Sequence, residues 1–163
     1  MAPSSAKLSI GNYCSIGPDV KFLIGGQHDY KRISTWPFQT FTYHQPTSEK
    51  EQKLDITVED DVWIGMETLI MSGVNIGKGT VIAARSIVTK DIPPYSVFVG
   101  NKVVRKRFPE SIIEKIKDID FSKLEHTQAD SYANYCKTRL TEENVDEVLN
   151  SFLQTKGVQQ TSK

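Results

Sequence analysis

From Val58 to Val88 an aliphatic residue returns at every sixth position, as Val58, Ile64, Ile70, Ile76, Ile82 and Val88. Four residues after each comes a second small or aliphatic one: Val62, Thr68, Val74, Thr80, Ser86 and Ile92. An α-helix repeats its apolar face at three and four residues and a half-buried strand at two, so neither explains a strict six. A period of six marks a hexapeptide parallel β-helix, in which each hexad forms one flat face and three hexads close a triangular coil. Coils stack at about 4.8 Å, so equivalent inward positions pile into aliphatic ladders. Residues 58 to 93 hold six hexads, hence two coils. Ahead of them Ile10, Ile16 and Phe22 keep the same phase and supply one more. A sandwich of short strands would instead show turn signals about every 8–12 residues.

Between Gly25 and Leu54 the count of six disappears. A loop of that length inside a compact domain is functional or disordered. Disordered segments are poor in aromatics, whereas "ISTWPFQTFTYH" carries Trp36, Phe38, Phe41 and Tyr43. An ordered loop that packs on something is expected, with its rings either pinning it to the β-helix or walling a pocket. After Pro93-Pro94 the repeat is expected to end. Pro109 opens a helix with Ile112, Ile113 and Ile116 on one face. A second helix follows, with Thr141 as N-cap, Leu140 and Val145 as a staple, an apolar stripe through Val145, Val148, Leu149 and Phe152, and Gly157 as its stop. These helices are expected to cap the β-helix or to pack on a neighbouring subunit. The division expected is a β-helix domain over 8–100 with an inserted loop at 26–56, then a helical extension over 101–157.

Charge narrows the classes of partner. Twenty basic and twenty acidic side chains cancel, so no net field draws the chain to nucleic acid or to an anionic membrane. Cys14 and Cys136 are far apart, which argues against a disulfide framework and fits a reducing compartment. No apolar run approaches the ~20 residues of a membrane helix, and "MAPSSAKLSIG" lacks a secretory pattern. A cytoplasmic protein without membrane insertion is expected.

The segments "IGNYCSIGPDVKFLIGGQHDYKRISTWPF", "DVWIGMETLIMSGVNIGKGTVIAARSIVTKDIPPYSVFVGN" and "RKRF" together resemble the hexapeptide-repeat xenobiotic acetyltransferases. That group includes the β-helix chloramphenicol and virginiamycin acetyltransferases, and many sugar and polysaccharide O-acetyltransferases are similar. The resemblance covers about residues 8 to 121. It implies an all-β core folded as a left-handed parallel β-helix with a protruding loop and C-terminal α-helices. It also implies a homotrimer with active sites between subunits and acetyl-coenzyme A as cosubstrate; no metal is expected, from the spacing of the histidines. The handedness comes from the resemblance alone, since right-handed crossovers are the general rule.

By the same resemblance, the histidine after the paired glycines, His28, is the catalytic base. Imidazole, with an ordinary pKa near ~6.5, is largely neutral at cytosolic pH and can take the proton of an attacking hydroxyl. Read without the resemblance, His28 is more readily a loop residue bonded to backbone; His44 and His126 are the other histidines, and no pair has the close spacing zinc favours. Cys14 falls at an inward position and reads as a small core residue, so direct transfer is favoured over an acyl-enzyme. Asp29, Tyr30, Trp36, Phe38 and Tyr43 are candidates for the acceptor pocket by proximity. Trp63 precedes an inward residue and points outward, either beside the acyl donor or under the loop. The resemblance places coenzyme A near Ala83, Ala84 and Ser86, with Lys90, Lys102, Arg105, Lys106 and Arg107 toward its phosphates; a solvated basic face is the alternative. Gly100-Asn101 runs directly into Lys102, where the family commonly has an intervening Pro-Ala, and Gln27 stands where Asn is common.

The activity implied is O-acetylation of a sugar, polysaccharide precursor or antibiotic. N-acetylation of an amino sugar nucleotide, and a non-catalytic β-helix scaffold, are the alternatives; the acceptor itself is not legible.

Overall fold

The computed structural model describes residues 6–24, 31–36, 38–42, 54–124 and 129–154. Its hexads form short strands dealt in rotation onto three sheets. The first coil is β1 (Leu8–Ile10), β2 (Ser15–Ile16) and β3 (Lys21–Phe22). The second is β4 (Ile56–Val58), β5 (Trp63–Ile64) and β6 (Leu69–Ile70), and the third is β7 (Asn75–Ile76), β8 (Val81–Ile82) and β9 (Ile87–Val88). One sheet runs β1-β4-β7, the next contains β2-β5-β8, and the last runs β3-β6-β9. All these pairs are parallel, with Ser15 opposite Trp63 across the insertion and Trp63 opposite Val81 three hexads later. The chain is a parallel β-helix.

Six-residue spacing works because every inward side chain meets its equivalent in the next coil. Ile64, Ile70, Ile76 and Val88 are completely buried in one ladder core. The second inward ladder admits hydroxyls because each turns back to its corner: Thr68 Oγ1 donates to the Gly65 carbonyl at 2.8 Å and Ser86 Oγ to that of Ala83 at 2.6 Å. Corners are turned through the left-handed backbone region, with φ between 54° and 59° at Asp61, Glu67, Arg85 and Tyr95. Gly65 is required at its corner because a Cβ there would lie 2.4 Å from the Ala84 nitrogen of the next coil.

The repeat does not stop at Pro93-Pro94. Ile92 bridges to Ile76, and β10 (Ser96–Val99) continues the second sheet with Val97 opposite Val81. This fourth, partial coil arrives two residues short of three hexads, so Ile92 fills the first inward position rather than the second expected for it. The corner after Val88 holds only Thr89, Lys90 and Asp91, and Asp91 Oδ1 accepts from the Asn75 N–H at 2.8 Å, closing the shortened edge. Gly100-Asn101 then forms a tight hairpin turn, with φ +66° at Gly100, into the antiparallel strand β11 (Lys102–Lys106).

Behind β11 come α2 (Glu110–Ile116), a 3₁₀ turn (Phe121–Lys123), α3 (Ala129–Lys137) and α4 (Val145–Gln154). They pack along the edge between the first two sheets of their own β-helix, not over its end. Tyr95 anchors a cluster with Ile112, Ile113, Ile116 and Val145, and its hydroxyl donates to the Ile116 carbonyl at 3.2 Å. Tyr13 donates to the Leu124 carbonyl at 2.5 Å, and Lys78 Nζ donates to the carbonyls of Lys117 and Ile119 while lying over the Phe121 ring. At the first coil, by contrast, Ile10 and Ile16 remain 43% and 40% exposed. Thr141 is not the N-cap: α4 begins at Val145, because Asn144 closes a preceding turn by accepting from Thr141 N–H and donating to the Arg139 carbonyl. Leu140 and Val145 do share one cluster, and Val145 and Phe152 are buried. Gly157 lies outside the described residues.

Candidate functional site

Both stumps of the insertion are fixed at the edge between the third and first sheets. Leu23 N–H donates to the Ile70 carbonyl at 2.8 Å as the chain leaves, and Gly73 N–H donates to the Leu54 carbonyl at 3.2 Å as it returns. His28, Asp29, Tyr30, Tyr43 and His44 lie outside the described residues, as does His126. The described part of the insertion carries a short helix, α1 (Phe38–Thr42), with the Trp36 and Phe41 rings 5.3 Å apart. Trp36, Phe38 and Phe41 are all more than half exposed. Among the described residues the Trp36 and Phe41 rings contact each other, and all three rings keep much of their surface open.

The second sheet gathers part of the expected donor groove. Trp63 pairs with Val81, Val81 with Val97, and Val97 with Arg105. Paired residues share a face, so Trp63 and Arg105 stand in one outward row, three strand spacings or about 14 Å apart. Trp63 is 56% exposed and Arg105 is exposed. Ala83 and Ala84 turn the far edge of the same sheet, and the Gly100 hairpin sits over it, with Ile87 N–H donating to the Gly100 carbonyl at 2.7 Å. Lys102 follows that turn and is exposed.

Three of the expected groove residues are placed otherwise. Ser86 is fully buried, and its hydroxyl accepts from Gly100 N–H at 3.1 Å while donating to Ala83, so it sets the hairpin instead of facing a ligand. Lys90 belongs to the shortened corner on a different edge. Arg107 lies on the helix-covered edge, where Nη1 donates to Asp61 Oδ2 at 2.9 Å and to the Gly79 carbonyl at 2.7 Å.

That edge holds the polar cluster sequence reasoning did not single out. Burial lowers the pKa of Lys78, against the opposing pull of Asp60. Burial, then Asp61, raises that of Tyr95 far above the ordinary phenol value. The available signal was positional: Tyr13, Asp61, Gly79 and Tyr95 each stand three residues before an inward residue and so at one stacked corner. Cys14 packs partly buried on the core, with its thiol 3.1 Å from the Glu59 carbonyl and its pKa raised by burial first. Among the described residues no cluster of His, Cys, Asp or Glu could hold a metal ion, and no helix is long and apolar enough to cross a membrane.

Comparison with known proteins fits this architecture. Residues 55–90, the second and third coils, match the family model for bacterial transferase hexapeptide (six repeats). A probable macrolide acetyltransferase of Lysinibacillus sphaericus is 40% identical over 123 residues, spanning 71% of this chain and 68% of that protein. The chain belongs to the hexapeptide-repeat acetyltransferases. Within this family, a chloramphenicol acetyltransferase of Escherichia coli is 38% identical over 122 residues, spanning 69% of this chain and 58% of the relative. This chain thus spans a little over half the length of several such relatives. Among solved structures, a hexapeptide-repeat acetyltransferase of Vibrio cholerae complexed with acetyl coenzyme A aligns at a TM-score of 0.45 and 29% identity, covering 61% of this chain and 49% of that one.

Proposed function

We propose that this chain is an acetyltransferase that moves an acetyl group from acetyl-coenzyme A to a hydroxyl of a sugar, polysaccharide precursor or antibiotic. The observation that carries the reading is the 40% identity to the Lysinibacillus sphaericus relative over 71% of the chain. The β-helix is left-handed in this reading, in keeping with its left-handed corner residues at six-residue spacing. The transferase body extends past 100 to take in β11, and the catalytic arm ends before Ile56, which opens β4 in the core; the chain after β11 is an extension packed against the body.

His28 takes the proton of the acceptor hydroxyl as its oxygen attacks the acetyl carbonyl. The carbon–sulfur bond of the thioester breaks, and the imidazolium returns its proton to the departing thiolate. Acetyl-coenzyme A supplies the activated acyl group; the protein supplies position and a base. The outward row of the second sheet suits the donor, because Trp63 offers an uncovered apolar surface and Arg105 and Lys102 offer cations to phosphate. Ala83 and Ala84 leave room at the far edge for a narrow chain. Asp29, Tyr30, Trp36, Phe38 and Tyr43 wall the acceptor side.

The stumps of the insertion stand at one edge of the β-helix and the donor row occupies the opposite sheet, and in this reading the arm and the donor row meet across a subunit boundary. A homotrimer brings the arm of one subunit against the second sheet of the next, covering the exposed rings of both. Incubation with acetyl-coenzyme A and a panel of chloramphenicol, macrolide and galactoside acceptors is expected to release free thiol in step with an ester product. Absence of thiol release with every acceptor favours the scaffold alternative, and a product acetylated only on nitrogen favours the amino sugar nucleotide.

A further inference from the structure

Between the C-terminal helices and the edge they cover lies a cavity of about 770 Å³, within the size range of small-molecule sites. Its walls are apolar, formed by Ile116, Ile119, Val145, Val148, Leu149 and Phe152. Its charged lining is one-sided: Arg105, Arg107, Lys137 and Arg139 stand against the single acid Asp61. In a chain whose twenty basic and twenty acidic residues balance, this is a local excess of positive charge.

Arg107 is the built element. Its Nη1 is used by Asp61 and Gly79, and its Cζ lies over the Phe108 ring, 5.1 Å from the centroid. Its Nε and Nη2 have no hydrogen-bond partner among the described residues. The side chain is thus held rigidly while a second donor edge stays available, the arrangement that receives a carboxylate in a two-point contact. Asp61 already balances one charge through Nη1, which favours a monoanion over a dianionic phosphate. An apolar body is needed to fill the remaining walls.

We propose that this cavity binds an amphipathic monocarboxylate, an aliphatic or aromatic acid whose carboxylate meets Arg107 and whose body lies among α2, α4 and the 3₁₀ turn. The site lies on the helix-covered edge, with Arg105 on its border with the donor row, and does not depend on the function proposed above.

The test is isothermal titration of the full chain with octanoate, with 1-octanol as the neutral control. Carbamidomethylation of the two cysteines, followed by peptide mass, gives a second reading. Cys136 lines the cavity and is reached by solvent, whereas Cys14 lies on the core. The thiol pKa of Cys136 is raised, by desolvation and then Asp61, so alkylation is run at alkaline pH. Saturable one-site binding of octanoate is expected, at least tenfold tighter than octanol, together with slower alkylation of Cys136 and an unchanged rate at Cys14. The exposed double substitution Lys137→Glu, Arg139→Glu is expected to weaken octanoate about tenfold and to leave thiol release from acetyl-coenzyme A unchanged. Val148→Trp, which fills the cavity, is expected to abolish binding with helical circular dichroism retained. Equal affinity for acid and alcohol, no saturation, or binding indifferent to the double charge reversal each overturns the proposal.

Discussion

Arg107 and Asp61 meet at 2.9 Å across the edge of the β-helix, joining the segment after β11 to the corner before β5. Both side chains are partly covered, at 27% and 36% exposure, so this pair falls between a solvated ion pair and a buried one. Arg107→Ala is expected to lower stability by about 1–2 kcal/mol, read as a lower midpoint in urea. The KM for acetyl-coenzyme A should not change. A raised KM at unaltered stability would return Arg107 to the donor groove.

Trp63 stands uncovered on the second sheet, in the row that ends at Arg105. Removing an aromatic contact surface costs about 1–2 kcal/mol of binding. Trp63→Ala is expected to raise the KM for acetyl-coenzyme A about tenfold, with kcat changed far less. A lowered kcat at constant KM would instead place the ring at the acceptor.

Close stacking of coils gives a sharper structural expectation. Gly65→Ala sets a methyl 2.4 Å from the Ala84 nitrogen, which only a backbone shift can relieve. A loss of about 1–3 kcal/mol follows, as for overpacked cores. Ser96 shows the opposite case: its hydroxyl is buried without a partner among the described residues. Ser96→Ala should leave thermal stability unchanged or raise it by about 1 kcal/mol.

Alkaline pH reports on the helix-covered edge. An unfolded phenol ionises near pH ~10, whereas burial holds Tyr95 protonated well above that. The folded state then binds more protons than the unfolded one, so stability falls as pH climbs past ~10. Lys78 has the opposite sign: burial lowers its pKa, the unfolded state binds more protons just below ~10.4, and stability rises with pH there. Denaturant unfolding at about pH 9 and about pH 11 should show native protein losing stability on the alkaline side and Tyr95→Phe losing less.

The ladders were legible in the sequence because burial at six-residue spacing selects aliphatic residues whatever surrounds them. Val58, Ile64, Ile70, Ile76, Ile82 and Val88 are all buried. The fourth coil was not, since Ile92 is apolar in either phase and the corner shortening that decides between them rests on Asp91 reaching Asn75. The outward position of Trp63 follows from its neighbour Ile64, which faces the core. Ser86, Lys90 and Arg107 looked alike as small or cationic residues near one segment. Their separation onto a core position and two different edges is a property of coiling, which brings distant residues together and moves near ones apart. The same coiling assembled Tyr13, Lys78, Asp61 and Tyr95 from four turns into the seat of the C-terminal helices.

In the proposed mechanism the His28 imidazole removes the acceptor proton during acetyl transfer. The most direct measurement is the rate of ester formation by His28→Ala with saturating acetyl-coenzyme A and a working acceptor, with the unfolding midpoint as control for folding. Loss of a general base predicts a fall of about 10²–10⁴-fold in kcat with the midpoint unchanged. A variant that transfers acetyl at the native rate would contradict the account.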